Sequence, residues 1–87
     1  MKYRNAPGVV LAEICGRSFL VTPEATIQVN ETAASCWKKL TQGADEKELC
    51  EDIRDQYETE NMEALRSDIR DLIRSLRERR LIERCSH

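Results

Sequence analysis

The sequence predicts an α+β domain, a three-stranded antiparallel β-meander followed by three helices, in an arrangement compatible with winged helix-turn-helix packing. Two observations carry this. Between residues 9 and 29 apolar side chains fall in short β-rich runs broken by turn residues, and from Asn30 onward they recur at spacings of three and four. A chain of 87 residues, 40% hydrophobic and 34% charged, has material for one modest core and none for a second domain. One domain over residues 1–87 is expected, with an ordered core from about 8 to 83.

Val9 to Cys15 and Ser18 to Thr22 read as a hairpin joined by Gly16-Arg17, with glycine first as a type II′ turn requires. That loop sets Ile14 opposite Phe19 and Ala12 opposite Val21, so Val10, Ala12, Ile14, Phe19 and Val21 share the face expected to meet the core. Pro23 begins a turn, and Thr26-Ile27-Gln28-Val29 follows as the third strand of the meander. A three-residue loop, Pro23 to Ala25, would bring Ile27 and Val29 onto the same face.

Asn30 suits an N-cap, and Ala33, Cys36, Trp37 and Leu40 follow at helical spacing up to Gly43, predicting a helix over about 31–42. Asp45 with Glu48 forms a capping-box pattern ahead of a helix over about 46–57, striped by Leu49, Cys50, Ile53 and Tyr57. No glycine or proline occurs between Glu60 and Arg79, where Met62, Leu65, Ile69, Leu72, Ile73 and Leu76 mark the longest helix. Leu81-Ile82 is expected to tuck back as a short closing segment, with Met1–Ala6 and Arg84–His87 frayed.

Fourteen basic against sixteen acidic residues give a net charge of −2, and the acids concentrate between residues 44 and 58. This balance disfavours nucleic acid as a partner. No apolar run approaches the roughly 20 residues of a membrane span, so no membrane association and a cytoplasmic location are expected. Cys15, Cys36, Cys50 and Cys85 lie too far apart for a Cys-x-x-Cys zinc motif and read as small buried thiols. The one histidine, His87, stands at the chain end beside Cys85, too few ligands for a metal site. No catalytic constellation or phosphate loop is present, so neither enzymatic activity nor a cofactor is expected.

The third helix carries one further pattern. At about 100° per residue with Arg66 at zero, Arg77, Arg70 and Arg74 fall at roughly 20°, 40° and 80°, bordering an apolar stripe from Leu72 to Ile73. Such a row either is neutralised by Glu63 and Asp71 or faces an anionic partner. The third strand of the meander is an edge without internal charge or proline, open either to an added peptide strand or to cover by the third helix or a second copy.

The run Phe19 to Ala34, with Val29-Asn30-Glu31-Thr32-Ala33 as its most characteristic part, is followed by Trp37, Leu40 and Gly43, by Leu49, Ile53 and Tyr57, and by Leu72, Leu76 and Leu81-Ile82. Over about residues 8–83 this resembles the PqqD family, peptide chaperones of pyrroloquinoline quinone biosynthesis and related pathways; the family usually has Leu in place of Val29. The resemblance implies a winged-helix-like domain that binds the leader segment of a ribosomally made precursor peptide and presents it to a modifying enzyme, often a radical S-adenosylmethionine enzyme. It further implies that the leader adds as a strand along Thr26, Ile27, Gln28 and Val29. The groove wall then comes from Ile69, Arg70, Ile73 and Arg74, with Arg66 and Arg77 at its ends. The arginines would select acidic leader residues. Two other readings stand beside it: a winged-helix DNA-binding protein, and a weak homodimer through the Met62-Leu65-Ile69-Leu72-Leu76 repeat.

Overall fold

Cys15 and Gly16 turn the chain in the first hairpin, both with positive φ (52° and 76°), and Ile14 faces Arg17 across them. This is the geometry of a type I′ loop, whose twist matches that of the flanking strands. In the computed structural model, which describes residues 1–57 and 60–85, the elements are β1 (Tyr3–Asn5), β2 (Val10–Ile14), β3 (Arg17–Val21), β4 (Thr26–Val29), α1 (Glu31–Leu40), α2 (Glu46–Tyr57), α3 (Met62–Glu78) and β5 (Ile82–Arg84). Ser86 and His87, which complete the Cys85-Ser86-His87 tail considered above, lie outside the described residues.

The meander β2-β3-β4 forms as expected, but it is offset and turned over. The turn sits one residue earlier than Gly16-Arg17, so Ala12 pairs with Phe19 and Val10 with Val21. The second loop has four residues, Thr22 to Ala25, where three were expected. The Thr22 hydroxyl accepts from the amides of Glu24 (3.1 Å) and Ala25 (2.9 Å), while the Thr22 amide donates to the Ala25 carbonyl (2.8 Å). This side-chain turn locks the longer loop and aligns Ile27 with Leu20 and Val29 with Ser18.

The core face is therefore the opposite one. Leu11, Leu20 and Ile27 stand in one row across all three strands, and Leu20 is buried. On the other face β4 offers only Thr26 and Gln28, so that face lacks apolar cover on its third strand. Val10 and Ile14, expected inside, are 61% and 58% exposed. Glu13 shares the Leu11 face at its end and reaches Lys38 of α1 at 3.1 Å.

The helices begin where their capping residues stand. Asn30 Oδ1 accepts from the Ala33 amide at 2.8 Å, and Asn61 Oδ1 from that of Ala64 at 3.1 Å. At α2 the capping box closes both ways: Glu48 N–H to Asp45 Oδ1 at 2.8 Å and Asp45 N–H to Glu48 Oε1 at 3.3 Å. Gly43, with φ of 82°, ends the α1 segment in a conformation other residues adopt only with strain. Leu20, Cys36, Leu40, Leu49 and Ile69 are the deepest side chains, joining the sheet to all three helices.

Among the described residues, the segments expected to fray, Met1–Ala6 and Arg84, are instead held by strand pairing. β1 and β5 pair antiparallel, Tyr3 with Arg84 and Asn5 with Ile82, and Tyr3 exchanges backbone hydrogen bonds with Ala44 at 2.8 and 2.9 Å. Tyr3 is buried, with the Arg77 guanidinium 5.5 Å from its ring centroid. Two three-residue strands with a single apolar anchor apiece leave too little pattern to be read in advance.

Of the four thiols, Cys36 and Cys50 are buried, Cys85 is half-buried, and Cys15 is exposed at its turn. Burial, aided by the nearby Asp52 carboxylate and Cys50, pushes the Cys36 thiol up to about 12, and burial also raises Cys50. An unfolded Cys36 ionises near 9 while the folded one keeps its proton, so the stability it contributes is full below pH 9 and falls above it. The loss is steepest between about pH 10 and 11 and slackens towards pH 12, where the folded thiol itself begins to ionise. Urea midpoints from pH 8 to 10.5 are expected to fall more steeply for the wild type than for Cys36→Ala; parallel slopes would contradict this.

Candidate functional site

The outer edge of β4 carries the first element of the site. Because Thr22 N–H bonds Ala25 O, the hydrogen-bonded pairs of the β3–β4 ladder continue through Leu20–Ile27 and Ser18–Val29. The N–H and C=O groups of Thr26 and Gln28 therefore point away from β3, and no strand among the described residues pairs with them. Their side chains lie on the exposed sheet face, whereas Ile27 and Val29 turn inward and pack on the core.

Across from this edge stands α3. A depression of about 520 Å³ opens between the end of β4 and the helix, with Val29, Ala33, Ile69 and Leu72 as apolar lining. Asn30 and Thr32 border it on one side, and Asp68 and Asp71 on the other. Ile69 is fully buried and Leu72 half-buried against the core, so the depression has a rigid aliphatic base.

The arginine row lies on the other flank of the helix. Arg66 lines a separate depression between α2 and α3 with Glu46, Cys50 and Met62. Arg70 Nε is 3.4 Å from Glu46 Oε1 of α2. Arg74 Nη1 is 3.9 Å from Asp71 Oδ1, and Arg77 is over Tyr3. None of the four lines the depression beside β4, and Ile73 is a core residue, 6% exposed. Of the helix positions singled out in the sequence, the structure brings only Ile69 to the β4 groove.

The reason is geometric. An apolar stripe has two borders, and which border meets the sheet depends on where α2 packs, which periodicity does not encode. Asp68, Leu72 and Asp71 were missed; the helical spacing of Asp68 and Leu72 beside Ile69 was their only signal.

An open edge strand whose last residue, Val29, meets an apolar helix flank defines the class: a small winged-helix-like α+β domain. Residues 17–82 match the family model described as Coenzyme PQQ synthesis protein D (PqqD), and the chain belongs to that family. No curated protein matches the sequence. Two solved structures share the fold. The PqqD truncation of Methylobacterium extorquens PqqCD, described as a stand-alone recognition element for ribosomally synthesized and post-translationally modified peptides, superposes with a TM-score of 0.81 at 20% identity, covering 95% of this chain and 89% of its own. TbiB1 in complex with the TbiA(beta) leader peptide gives 0.78 at 21% identity, over 97% and 99%.

Proposed function

We propose that this chain is a non-catalytic recognition module. It binds the leader segment of a ribosomally synthesised precursor peptide as an added strand on β4 and presents the remainder to a modifying enzyme. A radical S-adenosylmethionine enzyme is the partner class that the PqqD resemblance implies. The observation that carries the reading is the unpaired edge of β4 at Thr26 and Gln28, on a strand whose last residue, Val29, lines the depression with Ile69 and Leu72. Membership of the PqqD family and the leader-bound state of the similar TbiB1 support it.

Main-chain hydrogen bonds from the edge supply sequence-independent affinity, and alternate leader side chains enter the groove to supply selectivity. Thr26, Ile27, Gln28 and Val29 form one wall, and Ile69 with Asp68 and Leu72 the other. The DNA-binding reading gains nothing from α3, whose exposed residues include Glu63, Asp68, Asp71 and Glu78 as well as its arginines.

Calorimetric titration of the full chain with the leader half and the core half of the precursor encoded beside its gene tests the proposal. The leader half alone is expected to bind; binding confined to the core half, or none, would overturn it. In the same titration Arg70→Gln/Arg74→Gln is expected to change affinity by less than about threefold, since both side chains are exposed and neither lines the depression beside β4. A tenfold loss in that variant would restore the arginines to the groove.

A further inference from the structure

The groove beside β4 has a charge sign of its own. Its ionisable lining residues are Asp68 and Asp71, and no lysine or arginine lines it. Asp71 shares its charge with Arg74 at 3.9 Å, whereas Asp68 has no ion-pair partner among the described residues. The two carboxylates are three residues apart on one helix, hence neighbours at the rim, above a base of Val29, Ile69 and Leu72.

An aliphatic base under an anionic rim matches one kind of side chain, a long apolar stem ending in a cation. Acidic leader residues, which the arginine row would have selected, are repelled here. In a strand added to β4, residues level with Thr26 and Gln28 project onto the exposed sheet face, and those level with Ile27 and Val29 project towards α3. The position beside Val29 is therefore the one that meets both base and rim.

We propose that the peptide bound at β4 carries a lysine or arginine at the inward-facing position beside Val29, with its stem on Val29 and Leu72 and its head between Asp68 and Asp71. This rests on the peptide-binding reading above and names the class of sequence the groove selects. Arginine is favoured over lysine wherever both carboxylates are engaged, because its planar fork can donate to two acceptors at once.

The test uses a displayed library of short random peptides selected on the full chain, repeated on Gln28→Pro, on Asp68→Asn/Asp71→Asn and on Asp68→Lys/Asp71→Lys, each checked by thermal melt. Both aspartates are exposed, so the variants are expected to fold. Wild-type selection is expected to enrich peptides with a cation at one recurring position within an alternating apolar pattern. Those peptides should bind the Asn variant on the order of tenfold more weakly, and the Lys variant should enrich Asp or Glu at that position. Peptides that depend on Gln28 but show no recurring cation, or keep it on the charge-reversed variant, would overturn the charge assignment alone. Failure to select any peptide, or selection of peptides indifferent to Gln28→Pro, would overturn the strand-addition reading and this inference with it.

Discussion

Replacing Gln28 with proline is expected to lower leader affinity by roughly ten- to hundredfold while the domain stays folded. The Gln28 N–H points to the open edge, so its removal leaves the β3–β4 ladder intact. The loss combines one missing main-chain hydrogen bond with a ring placed where the incoming strand must approach. Ile27→Pro provides the contrast. The Ile27 N–H belongs to the ladder with Leu20, so that variant is expected to lose the fold as well as the ligand. Calorimetry and a thermal melt on both separate the effects. A folded Gln28→Pro protein with unchanged affinity would place the peptide away from β4.

The second large effect is on stability. Leu20 is 2% exposed where the meander meets the helices, and Leu20→Ala is expected to cost about 2–5 kcal/mol. For a domain of this size that lowers the melting temperature by on the order of 10 °C or more. Ile14→Thr, on the exposed face, is expected to stay within about 0.5 kcal/mol of wild type. Equal losses for the two would mean that both sheet faces are covered.

These two variants also mark where the sequence was legible. The helices could be read because their signals are local: Asn30 and the Asp45–Glu48 box bond within three residues, and Gly43 meets a local conformational demand. Strand existence was legible for the same reason. The buried face was not, because both rows of the β2–β3 hairpin carry apolar side chains, Leu11 and Leu20 on the buried one and Val10, Phe19 and Val21 on the other, and the decision falls to β4, whose phase is set by the Thr22 side-chain turn. Two errors cancelled there: an odd loop was paired with the wrong face, and the even loop restores Ile27 and Val29 to the true core.

The site was legible in the same proportion. The Thr26–Val29 edge follows from strand order, a property of the chain, and was found. The helix wall depends on how α3 is rotated against its neighbours, a property of packing, and the arginine row lies on the border away from the depression at Val29. Asp68 and Leu72 carry no local signature that distinguishes them from surface and core positions elsewhere.

The β1–β5 ladder joins Tyr3 to Arg84, nearly the full length of the chain apart, whereas each meander strand pairs with its immediate sequence neighbour. Closing a loop of that size costs on the order of 4 kcal/mol of chain entropy, as much as or more than two or three backbone hydrogen bonds return. The ladder is therefore a poor folding nucleus by itself, and it is expected to close after the meander and helices have brought the ends together. Because Tyr3 also clasps Ala44 at the α1–α2 junction, that late closure tightens the helical layer against which the groove is built. A chain still emerging during synthesis would thus hold its sheet edge before it holds the finished groove.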